Sequence, residues 1–324
     1  MNLHSGYNGM IAAGLLVAAG IVAGGHRIVD MSAKSPEPAD VTVEYGWQLL
    51  RNTAVYMGPD HDDPNMRFSG SRIACASCHI DVGQRPGTLS LLETADRYPR
   101  LSGRDGGVRD IKDRINGCMQ RSMNGSPLPR ESTEMLAMVK YIDHLGNVYK
   151  AMSESARTPV EPPSFKEPNR AADVGAGRIV FEARCQVCHG ADGAGLRATP
   201  DPANGYLFPP LWGPDSYNDG AGMTRVLTAA RFIKARMPYG QPDLTDAEAY
   251  DVAAYINSHW RPEKEGLEVD YPDRAMKPID SPYPPYADDF PHEQHRLGPF
   301  QPIREYYENL EKEEGERPKG DEPL

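Results

Sequence analysis

Long apolar runs, basic charge and spare cysteines are all scarce in this chain. Its longest uncharged apolar stretch, residues 10–25, has 16 positions, whereas a membrane-spanning helix needs about 20. A stretch of that length suits the core of a secretory signal. No Lys or Arg precedes it and no clean A-x-A cleavage site follows, so residues 1–30 read as a signal peptide or as an uncleaved membrane anchor. The net charge of −11 lacks the basic footprint of generic nucleic-acid binding, so no nucleic-acid partner is expected. Four of the five cysteines fall in two short motifs, leaving Cys118 alone. A single leftover cysteine cannot close an internal disulfide, which excludes a disulfide scaffold. The length, 324 residues, accommodates two small domains with extensions.

The two motifs are Cys75-Ala76-Ser77-Cys78-His79 and Cys185-Gln186-Val187-Cys188-His189, 110 residues apart. Two cysteines separated by two residues and followed at once by histidine form the attachment signature of a c-type haem. Both thiols add to the vinyl groups of one porphyrin, and the adjoining histidine then sits beneath the iron. A zinc knuckle or a redox dithiol would not need that histidine. The reading is two covalently bound haem c groups, attached through Cys75, Cys78, Cys185 and Cys188, with His79 and His189 as proximal ligands. Haems of this type are attached outside the bacterial cytoplasm, so a periplasmic location is expected.

Taken in order, residues 41–152 form an expected N-terminal haem domain. Val43, Trp47, Leu50 and Ala54 predict a helix over Val43 to Tyr56. From Arg97 to Arg130, eight Lys or Arg face three acids, a local +5. Within that segment Ile111, Ile115, Cys118 and Met119 share one helical face. Ser132 to Leu145 predicts another helix, closed by Gly146. Residues 153–168, with four prolines, read as a linker. A C-terminal haem domain is expected over 169–262, with Val174, Ile179, Val180 and Phe181 leading into Cys185. Its last helix, Asp246 to Trp260, opens on the capping box of Thr245 and Glu248 and buries Tyr250, Ala253, Ile256 and Trp260. Residues 263–324 read as a Pro-rich extension draped over the domains. Beyond Glu305 an acidic, partly disordered tail is expected.

An electron-carrying haem takes a second axial ligand, commonly Met or His. In the second domain Met237, 48 residues past His189 and followed by Pro238, is the candidate. Met223 is its rival, and Lys234 could ligate only if deprotonated. The first domain has no comparable Met-Pro, but Cys118 lies 39 residues after His79. If its segment is helical, Arg114, Cys118 and Ser122 share one face, with Arg121 beside them. Guanidinium groups stabilise a thiolate and present paired donors to oxyanions, which together suggest a pocket for a small sulfur oxyanion. The plain alternative is a buried, inert Cys118 with Met119, Met123 or Met135 on the iron.

The segment around Cys118 resembles the thiosulfate dehydrogenase family, dihaem c-type cytochromes that join two thiosulfates into tetrathionate. Lys277-Pro278-Ile279-Asp280-Ser281-Pro282-Tyr283, Tyr286-Ala287-Asp288 and Gln294-His295-Arg296-Leu297-Gly298-Pro299-Phe300 resemble that family's C-terminal extension. The likeness covers roughly Tyr45 to Ile303. It implies a first, catalytic haem ligated by His79 and Cys118, with Arg104, Arg114 and Ser122 around the substrate. It matches His189 and Met237 to the second haem. Arg109 and Arg121 join the list from charge and helical position.

The expected fold is therefore mainly α, two cytochrome c-type domains around one haem each, with a long irregular extension. The expected activity is thiosulfate:cytochrome c oxidoreductase, also allowed in reverse as tetrathionate reductase. Electrons would leave through the second haem to a small c-type cytochrome or another haem acceptor. A dihaem electron-transfer protein without its own substrate is the alternative, and would carry Met or His at both irons. A peroxidase needs an openable haem, which a bound thiolate fits poorly. The cytochrome subunit of the multienzyme sulfur-oxidising system also has a Cys-ligated haem, but shares less of the extension.

Overall fold

The computed structural model describes residues 40–314. The expected signal or anchor, residues 10–25 included, and the last ten residues of the acidic tail lie outside them. Among the described residues no helix is long and apolar enough to cross a membrane.

Helix α1, Val43–Arg51, starts at Thr42, whose side-chain oxygen accepts the Tyr45 N–H at 3.0 Å. The single helix expected to reach Tyr56 instead breaks at Asn52 and resumes over Thr53–Met57. At the break Thr53 donates its hydroxyl to the Leu49 carbonyl and accepts the N–H of Cys75 at 3.1 Å, so the irregularity supports the first haem motif. Helix α2, Ile111–Arg121, opens on a capping box of Asp110 and Asp113. Helix α3, Thr133–Ala151, opens on Ser132 and runs through Gly146, the predicted stop. A mid-helix glycine costs only about 1 kcal/mol, and here Gly146 is buried beside Ala95.

The second domain repeats the plan with α4, Val174–Arg184, then α5, Val226–Arg236, and α6, Asp246–Asn257. The capping box of Thr245 and Glu248 forms as predicted. Tyr250, Ala253 and Ile256 are buried, but Trp260 lies past the helix end and is 64% exposed. On α4 Phe181 is buried while Ile179 faces out, being roughly half a helical turn away.

In each domain the first helix crosses the last at a glycine. A Cβ on Gly46 would sit 2.1 Å from the Ala137 carbonyl oxygen of α3, and one on Gly177 would sit 2.0 Å from that of Asp251 on α6. Only a residue without Cβ permits backbones this close. The strands are short: β1, Arg100–Leu101, pairs antiparallel with β2, Val108–Arg109, and β3, Leu196–Arg197, with β4, Tyr206–Phe208.

One core gathers Leu49, Met119, Met135 and Tyr141, the other Phe181, Tyr250, Val252 and Ala253. The extension is irregular as expected, with a short helix at His292–Leu297, yet it is not merely draped. Its Phe300 and Ile303 are fully buried in the second core, and the Tyr250 hydroxyl donates to the Leu297 carbonyl at 2.8 Å. From that anchor the chain forms α7, Gln301–Glu314, so the acidic tail expected beyond Glu305 is helical as far as Glu314.

Candidate active site

Cys75 and Cys78 sit on a tight helical turn that delivers His79. The His79 ring donates from Nδ1 to the Leu89 carbonyl at 2.8 Å, which leaves Nε2 as the free donor atom for a metal. Burial lowers its pKa; the Leu89 hydrogen bond opposes that, and the nearby charge of Arg114 adds to it. The imidazole is thus held neutral, the form that ligates iron.

His79 opens on a cleft of about 540 Å³, counting its mouth, whose other walls include Leu50, Cys75, Thr94, Arg114 and Cys118. Arg114 and Cys118 are one turn apart on α2 and both line the cleft, whereas Ser122, expected on the same face, does not. Met119 and Met138 also line the cleft. An attachment cysteine, an imidazole and a second sulfur facing one apolar space are a donor set for an iron porphyrin. The Thr94 hydroxyl is buried there with no partner among the protein atoms, as a site built for another group leaves it. Haem fits the residues present.

The remaining predicted arginines are placed otherwise. Arg104 donates to Asp270 Oδ2 and Arg121 to Asp270 Oδ1, both at 2.8 Å, and Arg109 pairs with Asp105 on the surface. None of the three lines the cleft. Ser122 caps α2, its N–H donating to the Cys118 carbonyl. The local +5 is largely offset from outside its own segment, by Glu93 on Arg97, Glu131 on Lys112 and Asp270. Asp270 was not anticipated. It lies in aperiodic sequence, where no local pattern marks a buried carboxylate. The Tyr283 hydroxyl also donates to it at 2.9 Å, and Arg104 lies over the Tyr271 ring.

In the second domain Cys185 ends α4 and a further helical turn, Gln186–His189, carries Cys188 and His189. His189 donates from Nδ1 to the Pro209 carbonyl at 2.8 Å, the same arrangement as His79, and burial lowers its pKa too. Met237 follows α5 directly, its N–H bonded to the Ile233 carbonyl. Met237 and its rival Met223 both pack against the second core. Lys234 is tied down, donating to the Leu244 carbonyl at 2.7 Å.

Residues 67–150 match the SoxA/TsdA cytochrome c domain family, and residues 174–260 match the cytochrome c family. The chain is 35% identical over 264 residues to a thiosulfate dehydrogenase of Allochromatium vinosum, covering 78% of this chain and 93% of that one. It is 35% identical over 230 residues to one of Stutzerimonas stutzeri, covering 70% and 72%. Among solved structures it resembles a thiosulfate dehydrogenase (TsdBA) of Marichromatium purpuratum, with TM-score 0.60 and 35% identity. That match covers 69% of this chain and 47% of the other, so this chain corresponds to about half of that larger protein. Two haem-attachment motifs on two such domains, with this level of identity, place the chain in the thiosulfate dehydrogenase family as a cytochrome c with two covalently bound haems.

Proposed function

We propose that the protein oxidises two thiosulfates to tetrathionate beside the first haem, with the cleft shared by His79, Arg114 and Cys118 as the observation that carries the reading. The balanced reaction forms one S–S bond between two thiosulfate dianions and releases two electrons. When bound, the two haems supply one-electron acceptors, the second being the outlet to a small c-type cytochrome or another haem acceptor. His79 and Cys118, which both line the cleft, would hold the first haem. Cys118 acts as a ligand or as a covalent acceptor. In the second case its thiolate and the sulfane sulfur of one thiosulfate would form an S–S bond with loss of the two electrons. The second thiosulfate would then attack that sulfane sulfur, releasing tetrathionate and the thiolate. Arg114 offsets the repulsion between the two dianions where they must approach. Arg104 and Arg121 stand outside the cleft lining, their charge shared with Asp270. In the second domain Cys185, Cys188, His189 and Met237 would hold the second haem. The same site serves tetrathionate reduction, with direction set by the haem potentials, and an exported, periplasmic protein is the setting.

The test is thiosulfate-dependent reduction of ferricyanide by haem-loaded protein, with tetrathionate quantified and Cys118→Gly run alongside. Stoichiometric tetrathionate that disappears in the variant, with both haems attached, supports the enzyme and its site. No turnover in either direction leaves a dihaem electron carrier without its own substrate.

A further inference from the structure

Arg236 ends α5, directly before Met237, and is 2% exposed. Its Nη2 donates to the carbonyls of Pro86 and Thr88, each at 2.9 Å, and its Nε to that of Thr88 at 3.2 Å. Nη2 also lies 2.8 Å from Glu161 Oε1. Glu161 in turn accepts the Thr88 N–H at 2.7 Å and the Thr88 hydroxyl at 3.1 Å. The segment they grip leads straight into Leu89, whose carbonyl orients His79. Leu89 packs against the second core rather than the first. A buried ion pair thus joins three pieces of chain: the loop behind His79, the Pro-rich segment after the first domain, and the end of the helix that presents Met237. A planar guanidinium can serve several acceptors at fixed angles, which a lysine ammonium on a flexible stem does less well.

We propose that Arg236 and Glu161 are positioning residues for both irons, linking the orientation of His79 to the placement of Met237. This deepens the preceding reading and rests on it for Met237; the role of His79 follows from the attachment motif alone. Groups one bond beyond a metal ligand set its orientation and tune the metal. A change at this junction therefore reaches both haems, although Arg236 belongs to the second domain.

The test uses haem-loaded Arg236→Leu, Arg236→Lys and Glu161→Gln, with covalent haem content and far-ultraviolet dichroism confirming the fold. Redox titration followed spectrally resolves the two haems. The expected result is a shifted midpoint potential at both haems in Arg236→Leu and Glu161→Gln, with partial return in Arg236→Lys. A shift confined to one haem, or none at either, overturns the link. If Arg236→Leu does not fold, Glu161→Gln decides by the same criterion, since it keeps the side-chain volume. Met237→Ala is titrated beside them. Survival of the Met–iron charge-transfer band in that variant removes Met237 as ligand, while the paired shift still judges Arg236 and Glu161 separately.

Discussion

The carboxylate of Asp270 and the guanidinium of Arg121 meet at 2.8 Å although 149 residues separate them in sequence. Arg104 takes the other oxygen of the same carboxylate, and the Asp270 side chain is only 8% exposed. The extension is thereby locked onto the end of the helix that carries Cys118.

Removing that carboxylate leaves two partly buried guanidinium groups repelling each other. Breaking a buried pair by deleting one partner costs about 3–5 kcal/mol. Asp270→Ala should lose about that much stability in denaturant unfolding, and Asp270→Asn less, since an amide still accepts a hydrogen bond. An unchanged midpoint in Asp270→Ala would show the pairing to be incidental.

Arg114 is the arginine that lines the cleft. Arg114→Gln keeps a polar side chain, though a shorter one, and removes the charge. A drop in kcat/KM for thiosulfate of about a hundredfold is expected, the scale for losing one preorganised electrostatic contact to developing or colliding charge. The loss should appear with both haems attached and should shrink at high ionic strength. Steady-state kinetics at two salt concentrations decides it.

Cys118→Ala should lower tetrathionate formation by more than about a hundredfold, beyond the range typical of outer-shell changes around a metal. The thiolate-to-iron charge-transfer features of the first haem should vanish in the same variant. Full activity with an unchanged spectrum would remove Cys118 from both ligation and chemistry.

Lys277 is buried, with its ammonium over the rings of Tyr283 and Tyr286 and donating to the Pro285 carbonyl at 3.0 Å. Burial, with Arg274 adding repulsion, lowers its pKa from 10.5 to about 8. Between those values the unfolded chain holds a proton that the folded chain has released, so this group raises stability with pH across that window. Below about pH 8 the cost of keeping it charged is present in full. Relative to Lys277→Met, the native protein should therefore gain stability between pH 8 and 10. A stability difference that stays flat over that range would contradict the shift.

Gly177→Ala would place a methyl group 2.0 Å from the Asp251 carbonyl oxygen, with backbone on both sides and no flexible side chain to yield. Overpacking of this kind costs about 1–3 kcal/mol, occasionally more. The second domain should melt earlier, as thermal unfolding followed at the second haem would report.

Local chemistry was legible in the sequence wherever spacing within a few residues decides it. Haem attachment needs only Cys75, Cys78 and His79, or Cys185, Cys188 and His189, in succession. The capping box of Thr245 and Glu248 spans one helical turn, and so does the pairing of Arg114 with Cys118. Periodicity also marked the helices, yet it misjudged their ends. Gly146 is carried within α3 by packing, and Trp260 falls past α6 into solvent.

Tertiary structure alone decided which charges face the cleft. Arg104, Arg109, Arg114 and Arg121 look alike along the chain, but Asp270 and Asp105 engage three of them and Arg114 lines the cleft. The same holds for Arg236, whose acceptors lie about 150 residues earlier. Ion pairs and hydrogen bonds act over a few ångströms of space, and which distant residues come that close is set by how the helices cross, not by any period a single segment carries.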